Sequence, residues 1–403
     1  MKNTGTPTRT WKWVVGVSLL ALLLPAPARA GGKKKEEAPK NINLVWPVPP
    51  DKPRIKYVGS IYGAGDVEPA KKAGFLDRLA GIEKSDIKPG FVKPYGIATD
   101  SKGRIYVSDS GQGMIFVLDT KNKKVHYLGR TPQLRLVVPI GISVDSKDRV
   151  WVADPVGQHV VAFDGEGNVL MALGKTGEMV NPTDVVLDEA RQRAYVVDSK
   201  QHKVLVYNPE TGEQIGQFGK RGDQPGEFNF PTNLALDHQG RIYVTDTMNC
   251  RVQIFSPEYT LVETLGKQGM ERGNFLKPKG IALDSLQNIY VVDSDFDNLQ
   301  IFDQKNRLLM FLGSGGQMPG TFWLPAGIHI DRNNTIYIAD QNNQRIQIFQ
   351  LLNGETEEPK PTPVAGAPAH PADMKGGEPG TSNELKAPES KDLTVFKKEN
   401  TPR

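Results

Sequence analysis

Residues 325–349 read PAGIHIDRNNTIYIADQNNQRIQIF, and this stretch decides the fold. Apolar and polar residues alternate in it with a period of two, which is typical of β-strands and not of helices. A first strand begins at Pro325 and reaches Asp331, and a second ends at Asp340. A third strand, Arg345 to Phe349, follows across a polar turn. The stretch therefore predicts consecutive short strands that pair in an antiparallel sheet.

The same pattern occurs six times along the chain. Each copy opens with a proline, and successive prolines are 45, 43, 49, 47 and 47 residues apart: Pro94, Pro139, Pro182, Pro231, Pro278 and Pro325. A fourth short strand precedes the next copy and runs into a glycine, as at Gly219. Four strands in a repeat of about 45 residues are the signature of a propeller blade. We therefore predict an all-β fold, a six-bladed β-propeller of four-stranded antiparallel blades.

The two ends of the repeat region indicate how the ring closes. The sixth copy ends after its third strand, near Gln350. Before the first copy, residues 54–61 form a strand pattern that belongs to no blade of its own. Because an unpaired sheet edge invites aggregation, the simplest assembly places this N-terminal strand as the outer strand of the last blade. The propeller is thus expected to span residues 54–351.

The segments outside the propeller have different compositions. Residues 1–30 combine a basic start, an apolar run of eleven residues and the sequence Ala28-Arg-Ala30, which predicts a cleaved signal peptide. The protein is therefore expected to be exported to the periplasm or the cell exterior. Residues 31–53 are rich in Lys and Pro and predict an extended leader. Residues 352–403, rich in Pro, Glu and Lys, predict a disordered tail.

Charge and cysteine content exclude several classes of function. The formal net charge is +4, but residues 1–30 hold four basic and no acidic side chains, so residues 31–403 are formally neutral. A neutral body does not indicate nucleic-acid binding. The single cysteine, Cys250, excludes an intramolecular disulfide and a Cys-rich zinc site. After signal-peptide cleavage we expect no transmembrane segment, and we expect a monomer.

The repeat resembles the NHL-repeat family of β-propellers, in its secreted bacterial type. The pattern Pro-x-Gly-Ile-Ala-x-Asp, Ile-Tyr-Val-x-Asp and Asn-x-Arg-Ile-Gln-Ile-Phe is carried best by the fourth and sixth copies, with Arg251 and Arg345. The other copies have a different residue at the Arg position: Met114, His159, Lys203 and Asn298. The resemblance implies the propeller fold, with loops on one face as the usual binding surface. Relatives include protein- and RNA-binding modules and peptide-amidating lyases, which hold a channel metal with several histidines.

Departures from the repeat mark the candidate ligand-binding residues. Most copies have Gly two residues after the proline, whereas the third and fourth have Asp184 and Asn233. Polar groups at these positions are expected to converge at the mouth of the central channel. With the two repeat arginines, the candidate set is Tyr95, Asp184, Asn233, Lys279, His329, Arg251 and Arg345.

The alternating carboxylates Asp293, Asp295 and Asp297 resemble part of a calcium loop and are the candidate metal ligands, with calcium as the ion. The loop lacks the Gly and the bidentate Glu of an EF-hand, so an ordinary polar turn is the alternative. A second acidic set ends the second strand of every blade: Asp109, Asp154, Asp198, Asp246, Asp293 and Asp340. We predict that this set satisfies backbone N–H groups in turns.

No assembled catalytic set is evident in the sequence. We therefore predict a protein- or ligand-binding scaffold of the bacterial cell envelope, with a protein partner and no required cofactor, and enzymatic activity stays uncertain and is disfavoured. The alternative is a metal-dependent hydrolase or lyase, of the lactonase or amidating-lyase kind, with its site in the central channel. Only one channel histidine, His329, is available for such a metal, whereas a catalytic zinc site normally uses three protein ligands.

Overall fold

The computed structural model describes residues 43–69, 89–131 and 134–352. The predicted signal peptide, residues 31–42 of the predicted leader and the predicted tail from residue 353 lie outside the described residues. Within the described part, two strands, β1 (Val45–Trp46) and β2 (Ile55–Ile61), and a four-residue helix, α1 (Ala64–Val67), precede the first blade. No helix in the described part is long and apolar enough to cross a bilayer.

Six sheets follow one another along the chain. The first blade contains β3 (Pro94–Thr99), β4 (Ile105–Asp109), β5 (Met114–Asp119) and β6 (Lys124–Leu128), and the second contains β7 (Ile142–Val144), β8 (Val150–Asp154), β9 (His159–Phe163) and β10 (Val169–Leu173). The third contains β11 (Pro182–Asp188), β12 (Arg193–Asp198), β13 (Lys203–Tyr207) and β14 (Gln214–Phe218). The fourth contains β15 (Leu234–Leu236), β16 (Ile242–Asp246), β17 (Arg251–Phe255) and β18 (Leu261–Leu265). The fifth contains β19 (Pro278–Leu283), β20 (Ile289–Asp293), β21 (Asn298–Phe302) and β22 (Leu308–Leu312), and the sixth adds β23 (Pro325–Ile330), β24 (Thr335–Asp340) and β25 (Arg345–Leu351).

The predicted ring closure is confirmed. Strand β2 pairs antiparallel with β25, from Ile55 opposite Leu351 to Ile61 opposite Ile346, and so supplies the fourth strand of the last blade. Residues 45–46 of the expected leader form β1, which pairs with β2 and makes this sheet five-stranded. The ring of Trp46 packs edge-on against Phe349 with centroids 5.8 Å apart. Residues near the end of the expected leader thus cover the otherwise open edge of β2.

The core lies between neighbouring blades. The second strand of each blade carries a large aromatic residue, and Tyr106, Trp151, Tyr195, Tyr243 and Tyr290 are fully buried there. The repeated Gly-x-Phe-x-x-Pro loops before blades four to six place Phe228, Phe275 and Phe322 in the same layer, with no exposed surface. Each of these phenylalanines packs in a cluster shared by two adjacent blades. Burying an aromatic side chain of this kind contributes roughly 1.5–3 kcal/mol each.

The innermost strands approach one another closely around the axis. A Cβ atom at Gly96 would collide with the backbone oxygen of Ile140 in the next blade, and one at Gly327 would collide with that of Tyr95. Glycine is therefore required at these two positions by the backbone of the adjacent blade. This contact makes the central channel narrow and determines which side chains can line it.

Candidate functional site

The direction of the strands places the loops on two opposite faces of the propeller. We call the proline face the side on which each innermost strand begins at its proline and each second strand ends at its Asp. The loops that lead into the next blade lie on the same side. The opposite face carries the turns between the first and second strands, such as residues 100–104 and 331–334.

The strand-end aspartates on the proline face are structural. The carboxylate of Asp109 accepts hydrogen bonds from the backbone N–H groups of Val92 and Lys93, at 2.7 and 3.1 Å. Equivalent bonds, from residues seventeen or eighteen positions earlier, reach Asp154, Asp198, Asp246, Asp293 and Asp340. The prediction that this set satisfies turn N–H groups is confirmed. Each carboxylate thereby holds the lead-in loop of its own blade.

The repeat arginines belong to the same structural network as the strand-end aspartates. The Arg345 guanidinium donates to the Asp340 carboxylate at 2.7 Å and to the backbone oxygens of Met318 and Thr321. Its side chain is only 2% exposed. Arg251 repeats this pattern with Asp246 at 2.8 Å. Both arginines donate hydrogen bonds to groups inside the protein, and their side chains have little exposed surface.

The central channel contains a cavity of about 200 Å³. Most of its lining residues are glycines and aliphatic residues, and its polar lining side chains are Ser143, Asp184, Asn233 and His329. Asp184 accepts hydrogen bonds from the backbone N–H of Leu234 at 2.9 Å and, at a longer 3.4 Å, from the Asn233 amide. Burial raises the pKa of Asp184 to about 7, against the opposing effect of these hydrogen bonds. Through these two hydrogen bonds the Asp184 carboxyl links blade three to blade four.

His329 lies further along the channel, on blade six. Its Nε2 atom shares a hydrogen bond of 2.8 Å with the Thr99 hydroxyl of blade one. Burial lowers the pKa of His329 to about 4, although the Asp331 carboxylate acts in the opposite direction. The imidazole is therefore neutral at physiological pH and connects the last blade to the first.

Tyr95 and Lys279 meet at the proline-face end of the channel. The Lys279 Nζ atom lies 5.9 Å from the centre of the Tyr95 ring, within the range of a cation–π contact. Burial, followed by the negative charge of Asp184, raises the pKa of Tyr95. Tyr95 belongs to blade one, Lys279 to blade five and Asp184 to blade three, so Tyr95 extends across the axis. The structure brings together these three candidate residues, with Asn233 beside Asp184.

The candidate calcium ligands do not converge. Asp293 accepts backbone N–H bonds from Leu276 and Lys277, while Asp297 accepts one from Leu324 at 2.7 Å. Asp295 faces the Lys277 ammonium at 3.6 Å. Each carboxylate thus has its own partner. Calcium binding at this loop stays a prediction.

The channel residues do not fit a metal of the kind that lyase and lactonase propellers suggest. Asp184 is occupied by backbone and amide donors, and His329 by Thr99. Among residues 43–69, 89–131 and 134–352, no group of three His, Cys, Asp or Glu side chains is placed to share an ion. A catalytic zinc site normally needs three such ligands.

Sequence reasoning missed an apolar surface on the proline face. Ten large apolar side chains are exposed in its loops: Tyr62, Val92, Val137, Val156, Val180, Phe230, Met248, Met270, Met318 and Trp323. The opposite side exposes only Val48 and Leu286 among the described residues, and the remainder lie on the outer strands. Four of the ten, Val92, Val137, Val180 and Trp323, stand two residues before a repeat proline. That periodic position is the signal that could have revealed them.

A glutamine that recurs in blades four to six holds the Gly-x-Phe-x-x-Pro loops that precede these blades. Gln347 accepts from the backbone N–H of Gly320 at 2.9 Å and donates to the oxygen of Thr321 at 2.6 Å. Gln253 and Gln300 make the same pair of bonds in their own blades. These loops are therefore fixed in place, and their exposed side chains form a preorganised surface.

The NHL repeat family matches residues 228–255 and 322–349, in the fourth and sixth blades. Mouse peptidyl-glycine alpha-amidating monooxygenase is 25% identical over 210 residues, covering 50% of this chain and 18% of that protein. Rat E3 ubiquitin-protein ligase NHLRC1 is 29% identical over 79 residues, covering 20% of each chain. The chain thus spans about a fifth of the length of these curated relatives.

Solved structures show the same fold at low sequence identity. A Bacteroides thetaiotaomicron protein of unknown function has a TM-score of 0.54 at 18% identity, covering 74% of this chain and 76% of that chain. A Xanthomonas campestris gluconolactonase has a TM-score of 0.51 at 15% identity, covering 65% and 87%. The match in two blades, together with the six-bladed ring, supports an NHL-repeat β-propeller.

Proposed function

We propose that the protein is an exported binding module that docks a protein partner of the bacterial cell envelope on its proline face. The observation that carries this proposal is the difference between the two faces. The proline face exposes ten large apolar side chains, whereas the opposite face exposes two, Val48 and Leu286, among the described residues. Contiguous exposed apolar surface on a folded protein marks an interaction site.

Hydrogen bonds and packing hold the exposed aromatic residues of the proline face in place, which favours a pre-formed interface. Trp323 is 47% exposed, yet its backbone N–H is held by Asp340 at 2.8 Å. Phe230 is anchored likewise, since its N–H donates to His202 Nδ1 at 3.1 Å and its ring packs edge-on against the His202 ring. Rigid aromatic anchors lose little conformational entropy on binding, and aromatic residues dominate the energetics of many interfaces.

The test compares one exposed apolar residue on each face. Tagged full-length protein is incubated with cell-envelope extract, and the proteins recovered by wild type, Trp323→Glu and Leu286→Glu are quantified. Leu286 is the matched control, because it is 65% exposed and lies on the opposite face. We expect a partner that wild type and Leu286→Glu recover equally and that Trp323→Glu loses. Equal recovery by all three proteins would refute docking on the proline face.

Export is tested separately. Fractionation of cells expressing the full chain, with N-terminal sequencing of the mature protein, should give a first residue of Gly31 in the periplasm or medium. A protein that keeps its N-terminus in the cytoplasm contradicts the exported part of the proposal.

The alternative function is a metal-dependent hydrolase or lyase with its site in the channel. It is favoured only by the channel cavity and by the buried carboxyl of Asp184, whose pKa burial raises to about 7. Metal analysis of the purified protein separates the two functions. Stoichiometric zinc or calcium that is lost in His329→Ala, together with turnover of a small substrate, would replace the binding module by the enzyme.

A further inference from the structure

The centre of the proline face carries a local excess of positive charge. Lys279 lies at the channel mouth, and Lys93 and Lys277 are near enough to lower its pKa electrostatically. Asp295 is the opposing carboxylate, and it already faces Lys277 at 3.6 Å. The three lysines therefore outnumber the carboxylate, although residues 54–353 as a whole hold 34 basic and 34 acidic side chains.

Lys279 is the least satisfied of these cations. Its ammonium rests against the Tyr95 ring, and no carboxylate among the described residues lies within ion-pair distance of it. Burial, then the repulsion of Lys277, lowers its pKa to about 8. Desolvating an ammonium without pairing it costs free energy, which a bound anion would return.

We call the exposed apolar side chains in the lead-in loops of blades one, four and six the apolar rim. Val92 precedes Lys93 directly, and Trp323 and Phe230 belong to the lead-in loops of blades six and four. A small inorganic anion would leave this apolar rim uncovered. A protein segment with a carboxylate and apolar side chains could do both: its carboxylate would pair with the Lys279 ammonium, and its apolar side chains would cover the rim.

We infer that Lys279 is the receptor for an acidic side chain of the docked partner, which enters the channel mouth beside Tyr95 while neighbouring apolar residues cover the rim. This inference rests on the proposed function and names the chemistry of the partner. Lys279 contributes the ammonium, Lys93 and Lys277 strengthen the positive potential, and the Tyr95 ring faces the ammonium.

The test uses zero-length carbodiimide coupling in the complex recovered from envelope extract. Carbodiimide activates a partner carboxylate, the Lys279 amine attacks it, and an amide forms while the oxygen lost from the carboxylate leaves in the urea. Mass spectrometry should identify Lys279 joined to an Asp or Glu of the partner. Lys279→Arg keeps the charge and should retain the partner but lose the cross-link.

Lys279→Met keeps the side-chain length over Tyr95 and removes the charge, so partner recovery should fall roughly tenfold or more. Lys277→Met is the control and should have a smaller effect, because Asp295 already pairs with Lys277. Recovery by wild type should also fall as the pH rises through about 8, where the ammonium is lost.

The outcomes separate the two proposals. A partner that depends on Trp323 but is recovered equally by Lys279→Met, with no Lys279 cross-link, overturns the carboxylate receptor and leaves face docking intact. Saturable binding of free butyrate that is lost in Lys279→Met, without any change in partner recovery, assigns the site to a small carboxylate and also overturns it. If no recovered protein depends on Trp323, face docking itself is wrong.

Discussion

Replacing Asp184 by asparagine should change how the free energy of unfolding depends on pH. Burial raises the pKa of Asp184 from 3.8 to about 7. Between these values the unfolded chain has released the proton and the folded chain keeps it. The free energy of unfolding therefore falls by about 1.4 kcal/mol per pH unit as the pH rises through this window. The contribution is fully present at low pH and is lost above about pH 7.

His329 acts in the opposite direction. Burial lowers its pKa from 6.5 to about 4, so between these values the unfolded chain binds a proton that the folded chain does not. The free energy of unfolding then rises by about 1.4 kcal/mol per pH unit. In wild type the two channel groups therefore cancel over much of the range from about pH 4 to 6.5.

In each single variant, the channel group that remains should determine how the free energy of unfolding depends on pH. Relative to wild type, Asp184→Asn should gain stability with rising pH at about 1.4 kcal/mol per unit, and His329→Gln should lose it at the same rate. Asparagine can still accept the Leu234 N–H, which now lies 2.9 Å from the carboxylate, so the channel wall should stay intact.

The assay is chemical denaturation of wild type, both single variants and the double variant at several pH values. The double variant is the control, because it should follow the wild-type profile with both titrations removed. A profile for Asp184→Asn that runs parallel to wild type between about pH 4 and 6.5 would refute the raised pKa and the buried environment that causes it.

Two further predictions concern the ring itself. Arg345→Met should cost roughly 3–5 kcal/mol, because it leaves the buried Asp340 carboxylate without its partner. Arg307→Met, at a pair whose arginine is 73% exposed, should cost less than about 1 kcal/mol, and equal losses in chemical denaturation would contradict the difference in burial. Gly327→Ala should destabilise by about 1–3 kcal/mol, because its Cβ would meet the Tyr95 backbone oxygen. Gly59→Ala, where nothing lies within 4 Å of the new atom, should change the unfolding midpoint little, and a similar loss at both glycines would refute the crowding at the axis.

The site was less predictable than the fold, and the particular residues show why. The repeat marked Arg345 and Trp323 with equal clarity, one by its motif and the other by its place two residues before Pro325. The structure buries the charged residue and exposes the aromatic one. A sequence pattern cannot distinguish these outcomes, because the Asp340 carboxylate that holds Arg345 and the neighbouring blade that leaves Trp323 uncovered are set only by stacking.

The amino-acid sequence by itself determined the number of blades, their strands and the closure of the ring. Alternation with a period of two, turn residues at fixed positions, a spare strand before the first copy and a missing fourth strand in the last copy are local signals. Each is read without knowing any neighbour. Tertiary structure alone decided the rest. It placed Tyr95, Asp184 and Lys279 from three different blades around one axis and joined β1 to the closing sheet. It also separated Asp293, Asp295 and Asp297 onto different partners. The physical reason is that burial, and with it pKa and available surface, depends on atoms that are distant along the chain.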